Sequence, residues 1–507
     1  MSPLHRLKHA IGFNPLAWLG HTRRMHRRVR DYLGVTTIGI ETPHCLVIVT
    51  PWQGTGIPWY SLAMGLMLSA SGTRVTFVID DQRFGGNRLR HLLVLKAISS
   101  VMAVVARQLP VIRLSDIVPA TATSSTIVDR LAALNAIWAL RGETMVSGRA
   151  AFEAASRRQL VNAHGRITAV LERFACDVIF VPGGVYGTSG LWVDQARRHG
   201  IRIASYDNGG YGYAMLATDG LACHLADVPA AFRAIGARCA ASSAEHDQAM
   251  DSANSELRKR QQGTDLFMSQ MTNTGSIDAA LRGGVLLALN SSWDSAALGL
   301  HVVFKNNTEW IVETVRYLLE TTTVPVIVRQ HPAERLPFAH TSDDYKTLLE
   351  RNFGNHSRLY FIAAEDPINS YELMDLVGSV VVHTSTIGTE AAAFGKPVVT
   401  GSAAYYAGLG FVWSAGDLAT YRARLDDAAA GRLIVTGTMR DAARLCFYVT
   451  QCCNWVTSTF NPEQFKIWSR ISLDTLAADP PVSRALDAIR SGTPVAVLNH
   501  IARTAQP

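Results

Sequence analysis

Three short stretches concentrate side chains suited to polar chemistry. "HTSTIGTE" fills positions 383–390 and closes an apolar, β-branched run. Small hydroxyls and a glycine at the end of such a run predict a strand that hands over to a helix N-terminus. Unpaired amides and the helix dipole favour an anion there, so Ser385, Thr386 and the amides near Gly388 could hold phosphate oxygens. His383 opens the stretch, Gly388 would permit close approach, and Glu390 could accept hydrogen bonds from ribose hydroxyls. The competing reading is an ordinary capping box, with a hydroxyl at the N-cap and Glu390 a few residues on. "RQHPAE" at 329–334 places His331 between Arg329 and Pro332. A histidine there could neutralise a diphosphate or protonate a leaving phosphate, although a lone histidine is usually structural. "NSSWD" at 290–294 ends in Trp293 and Asp294, which either line a cleft or serve structure.

Each stretch follows an expected strand, and these strands alternate with helices. The spacing predicts strands over 285–289, 324–329, 359–362, 379–382 and 397–400, with a helix over 309–320. In the first half, "HCLVIVTPWQGTGIPWYSLAMGLMLSASGTRVTFVID" reads as a βαβ unit with strands over 45–50 and 74–79. "CDVIFVPGG" and "IRIASYDNGG" repeat the pattern of strand and glycine turn after a helical middle over 99–173. Two parallel sheets covered on both faces follow from this alternation. The polar stretch 242–275 interrupts it, which places a domain change near 275. The expected division is an arm over 1–38, a Rossmann-like domain over 39–275 with a helical insertion, a second over 276–455, and C-terminal helices over 456–507 packing back across both.

The chain has 507 residues, 48% hydrophobic and 18% charged, a globular balance. Its formal charge of +7 resides in the first thirty residues, where Arg6, Lys8, Arg23, Arg24, Arg27, Arg28 and Arg30 occur without an acid. The balanced remainder argues against nucleic acid as a partner. Apolar residues interleave with these charges, so the arm is expected to be amphipathic, either resting on an anionic membrane surface or export partner or simply solvated. No apolar run of about 18 residues predicts a membrane span. A cytoplasmic chain, peripheral to the membrane, is the expectation. Seven scattered cysteines without ligand spacing read as reduced core residues, and no metal site is expected.

"RQHPAE", followed by "SYELMDLVGSVVVHTSTIGTEAAAFGKPVVTGSAAYYAGLG", resembles the capsular-polysaccharide biosynthesis glycosyltransferases, which include bacterial Kdo transferases; the His-Pro and Ser/Thr motifs are also similar to those of polysialyltransferases. The resemblance spans 285–411. It implies a GT-B fold, two Rossmann-like domains facing one cleft, with a nucleotide sugar as substrate and no cofactor or obligatory metal. It would give His331 the donor phosphate, Ser385 and Thr386 phosphate oxygens, and Glu390 the ribose. "PWQGTGIPW" is similar to the family's first loop, so Gly54, Thr55 and Gly56 would border the acceptor, a polysaccharide or glycolipid; a tight turn explains them equally. A base must take the proton of the attacking hydroxyl, and Asp207 or the pair Asp80 and Asp81 follows a strand on that side. Two other readings stand beside transfer of Kdo or another CMP-activated acid sugar. One is a UDP-N-acetylglucosamine 2-epimerase, whose usual Ser-Gly-Gly turn and paired glutamates are not matched. The other is a non-catalytic assembly factor binding glycan or nucleotide.

Overall fold

The computed structural model describes residues 15–36, 41–52, 56–83, 88–120, 126–143, 147–209, 212–264 and 277–505. The chain divides into two compact α/β units, neither of them one continuous stretch. The first unit takes 1–135, 150–227 and 454–503; the second takes 136–149, 228–453 and 504–507.

In the first unit, helix α1 (Pro15–Leu33) precedes β1 (Glu41–Val49), α2 (Ile57–Ala70), β2 (Thr73–Ile79), α3 (Arg88–Val105) and β3 (Val111–Arg113). Helices α4 (Thr126–Leu140) and α5 (Arg149–Arg173) lead to β4 (Val178–Pro182), α6 (Gly187–Arg198), β5 (Arg202–Asn208) and β6 (Ala214–Ala217). The chain returns at the end with β13 (Trp455–Val456) and α15–α18, which are Phe465–Trp468, Leu473–Ala477, Pro480–Ser491 and Val495–Thr504. The strand order is β13-β6-β5-β4-β1-β2-β3, parallel except at β6 and β13. Residues 45–49 are fully buried, as a central parallel strand covered on both faces requires.

The second unit contains α7 (Val228–Ala241), α8 (Ser243–Gln261), β7 (Val285–Ala288), α9 (Asn307–Thr321), β8 (Val326–Arg329), α10 (Tyr345–Phe353) and β9 (Leu359–Ile362). It continues with α11 (Ser370–Leu376), β10 (Ser379–Val382), α12 (Ile387–Ala393), β11 (Val398–Thr400), β12 (Trp413–Ser414), α13 (Leu418–Ala429) and α14 (Gly437–Tyr448). Its six strands are all parallel, in the order β12-β11-β10-β7-β8-β9.

Three expectations change. The domain boundary lies at Asp227/Val228 rather than near 275. Part of the polar stretch is helix α8, whose Ser242 caps the Glu245 amide and whose Ala249, Ala253, Leu257 and Arg260 are buried at helical spacing; α7 and α14 pack against it. The C-terminal helices belong to the first unit, where Phe460, Trp468, Val482 and Ile489 join its core. The basic arm, where described, is not free. Trp18, Met25, Val29, Tyr32 and Leu33 of α1 enter the same core, and Arg23, Arg27 and Arg30 are exposed. Each such side chain contributes about 1.5–3 kcal/mol by leaving water. Residues 1–14, with Leu4, Leu7, Ile11 and Phe13, lie outside the described residues.

No disulfide joins the cysteines, and Cys45, Cys223, Cys239, Cys446 and Cys453 are buried. No described helix is long and apolar enough to cross a membrane.

Candidate active site

Parallel sheets offer ligands a crevice where the strand order reverses direction, beyond the carboxyl ends of the strands. In the second sheet β7, β8 and β9 run to one side and β10 starts on the other, so the crevice lies between β7 and β10. The loops after these strands are tied together: Thr384 donates from its amide to Asn290 Oδ1 (3.2 Å) and from Oγ1 to the Ala296 carbonyl (3.1 Å).

At the start of α12, neither hydroxyl acts as a cap. Thr386 occupies the N-cap with φ −60° and ψ −22° and makes no side-chain capping bond. Ser385 is 8% exposed; its carbonyl accepts from Tyr406 Oη (2.7 Å), and its Oγ has no hydrogen-bond partner among the described residues. The amides of Ser385, Thr386 and Ile387 likewise have no acceptor among the described residues. A row of amides and two hydroxyls is therefore open to an anion, and the capping-box reading does not hold.

Other expected roles change with the geometry. Glu390 is 3% exposed, and both carboxylate oxygens are occupied: Oε1 accepts from Arg260 Nη1 (2.5 Å) and Oε2 from Tyr371 Oη (2.8 Å). It fastens α8 and α11 to α12, which displaces the ribose role. Gly388 serves packing, since a Cβ there would lie 2.5 Å from Tyr406 Oη. Arg329 is buried, its guanidinium donating to the Ala363 and Ile368 carbonyls, and burial lowers its pKa to about 10. It holds the loop after β9 instead of facing a ligand. His383 is buried, stacked on His301 at 4.2 Å, with Nε2 on the Ala297 carbonyl (3.2 Å). Burial, then His301, lowers its pKa to about 3. It donates as a neutral ring.

His331 follows β8 and caps the short turn Pro332–Arg335, its Nδ1 accepting from the Ala333 amide (3.2 Å). That bond fixes the neutral tautomer with the proton on Nε2, which has no partner among the described residues. Burial lowers its pKa, and the nearby Asp294 carboxylate opposes the shift. The ring can donate a hydrogen bond to an anion; a charged imidazolium would lose its Nδ1 contact. Asp294 is exposed and accepts from the Ala296 amide (3.1 Å). Trp293 is held by its Nε1 on the His340 carbonyl (3.1 Å) and by the Arg141 guanidinium, 3.6 Å above its ring.

Glu334 was missed, although it stands in the quoted "RQHPAE". It is 1% exposed, accepts from Gln330 Nε2 (2.7 Å), and burial raises its pKa to about 7. Glu143 was missed inside the helical middle. It accepts the Asn307 amide (2.8 Å) at the start of α9 and lies 3.7 Å from His301 Nε2. No local pattern marked it, because its partners stand more than 150 residues away.

In the first sheet the reversal falls between β1 and β4. An open pocket lies there, lined by Trp52, Gly183, Tyr186, Tyr206, Asp207 and Asn208, among others. Trp52 and Tyr186 place their rings 6.1 Å apart. Of the three expected carboxylates, only Asp207 reaches this pocket. Asp81 binds the Ser115 amide (3.0 Å) and hydroxyl (2.6 Å) and so bolts the turn after β3. Asp80 is fully buried against Trp192 Nε1 (3.0 Å), its pKa raised to about 6 by burial. Neither is placed to meet a substrate. Gly56 permits α2 to start against the Pro462 carbonyl. Gly54 and Thr55 lie outside the described residues.

Comparison with known proteins gives one family match: residues 281–435 fit the model of the capsule polysaccharide biosynthesis protein family. Among solved structures, the chain is similar to the β-Kdo 2,4 transferase KpsC of Thermosulfurimonas dismutans at 14% identity, covering 53% of this chain and 79% of that one, with a TM-score of 0.34. It is also similar to MurG of Acinetobacter baumannii at 10% identity, covering 89% and 100%, with a TM-score of 0.26. A third likeness is to MnaA of S. aureus bound to UDP, at 13% identity, covering 80% and 91%, with a TM-score of 0.24. The search of curated proteins found no match.

Proposed function

We propose, from the premise that residues 281–435 belong to the capsule polysaccharide biosynthesis family, that this chain is a GT-B glycosyltransferase building a surface polysaccharide from a nucleotide sugar. The observation that carries this reading is the uncapped start of α12, where three amides and the hydroxyls of Ser385 and Thr386 await an anion at the strand-order reversal. A donor diphosphate or monophosphate suits that row. His331 adds a neutral Nε2–H donor to the departing phosphate, and Glu334, poised near neutrality, can exchange a proton nearby. The pocket of the first unit suits an acceptor, with Trp52 and Tyr186 offering ring faces to a sugar and Asp207 as the candidate base. The acceptor oxygen bonds to the anomeric carbon, the bond from that carbon to phosphate oxygen breaks, and the hydroxyl proton passes to a protein carboxylate. Protein groups carry the phosphate charge, so neither metal nor cofactor is required. The donor class we propose is an acid sugar activated by CMP, Kdo among them.

The test is a thermal-shift panel of CMP, CDP, UDP and GDP, followed by turnover with the stabilising nucleotide's sugars, with and without EDTA. A ligand that binds only the folded chain raises Tm. CMP should stabilise, EDTA should leave turnover unchanged, and His331→Ala should lower kcat about 10²-fold. Conversion of UDP-N-acetylglucosamine without an acceptor would replace transfer with epimerisation, and no response to any nucleotide would remove both.

A further inference from the structure

The arginines of α1 remain unexplained by sugar transfer. Since Trp18, Met25, Val29 and Tyr32 occupy one side of this helix, its opposite side presents Arg23 and Arg27 to solvent, with Arg24 and Arg28 half-exposed at the edge. The only acid on the helix is Asp31, 3.7 Å from Arg30. Two neighbours extend this surface. Arg28 Nη2 donates to the Arg470 carbonyl (2.5 Å), which brings the exposed Lys466, Ile467 and Arg470 alongside. The combined charge is felt by His21, whose pKa is lowered by burial and then by Arg24, Lys466 and Arg470. Helix α3 also packs against α1, and Gln108 Nε2 reaches the Leu33 carbonyl (3.2 Å). Helix α3 contributes exposed Leu89 and Leu92 together with Arg88 and Lys96.

The apolar residues of this surface are open: Leu19 is 45% exposed, Leu92 50% and Ile467 52%. We propose that the surface formed by α1, the outer face of α3 and residues 466–470 docks the chain on an anionic lipid bilayer. Cations mixed with aliphatic side chains match the interfacial region, where charge meets the headgroups and Leu or Ile enters the acyl boundary. A nucleic acid rewards cations with stacking aromatics instead, and both aromatic residues of α1 are buried. This inference is independent of the sugar-transfer reading.

Co-sedimentation of the full chain with phosphatidylglycerol–phosphatidylcholine vesicles tests it. Binding should be strong at low salt, fall steeply at high salt, and be absent on pure phosphatidylcholine. Near an anionic surface each basic residue is worth a factor of about five, so R23E/R27E/K466E should lower the partition coefficient at least about 100-fold. Tm and nucleotide response should be unchanged, because these side chains are exposed. L92S/I467S, with every charge kept, should also weaken binding. Equal binding by the parent and the charge variant would overturn the proposal, as would failure of the parent to bind anionic vesicles. A short DNA duplex that binds more tightly than the vesicles at equal salt would also overturn it and assign the surface to nucleic acid.

Discussion

A carboxylate buried beside a guanidinium responds to substitution differently from one that awaits a sugar. Glu390→Gln leaves Arg260 buried and uncompensated, so stability should fall by about 3–5 kcal/mol in urea unfolding. Nucleotide affinity of the folded fraction, read by calorimetry, should stay within a few-fold. Loss of affinity at full stability would restore the ribose role. Ser385→Ala should behave in the opposite way. With no capping bond to lose, Tm should hold, while a missing hydrogen bond to a charged group should cost about 1.5–3 kcal/mol of nucleotide binding. A lowered Tm with unchanged affinity would return this hydroxyl to a purely structural role. These residues also mark where sequence reasoning stops. Spacing marked the turn at Ser385–Gly388 as a candidate, but it did not distinguish Ser385 from Glu390, because Arg260 lies 130 positions away. The same limit applied to Arg329, whose carbonyl partners arrive from the loop after another strand.

At the scale of elements, strands were the most legible feature. Every expected strand of the second sheet is present, because its parallel strands read as continuous apolar runs. Helix α8 was not legible as a structural element, since its buried stripe holds two alanines, one leucine and an arginine within a polar composition. The junction of β10 and α12 supplies a pH test. His383 titrates near 6.5 when unfolded and near 3 when folded, so below about 6.5 the unfolded chain binds the extra proton. Stability should therefore fall as pH drops from about 6.5 towards 3, and this contribution should vanish above about 7. The groups beside it are His301, Trp310 and, through His301, Glu143. His383→Gln stays neutral and can still reach the Ala297 carbonyl, so chemical denaturation should show a shallower acid slope for the variant. Parallel slopes would refute the assignment.

For the molecule as a whole, two α/β units were legible from alternation alone, but their membership was not. Membership depends on long-range pairing: β13 joins the first sheet beside β6, more than two hundred residues earlier in the chain. Truncation after Cys453 should consequently leave the first unit unfolded, removing Phe460, Trp468, Val482 and Ile489 from its core. Loss of near-UV dichroism and of solubility would be expected; a truncated chain with native dichroism would contradict this. The interrupted layout also bears on synthesis. A ribosome delivers the first unit's central strands early and its last strand and helices only after the whole of 228–453 has emerged. At about 5–20 residues per second, β6 waits tens of seconds for its partner while the second unit can already close. During that interval the nascent chain carries an unpaired sheet edge and uncovered core, the surfaces that holding chaperones bind. Slow elongation or scarce chaperone should thus limit the yield of this chain through its first half, even though the missing piece is encoded in its last tenth.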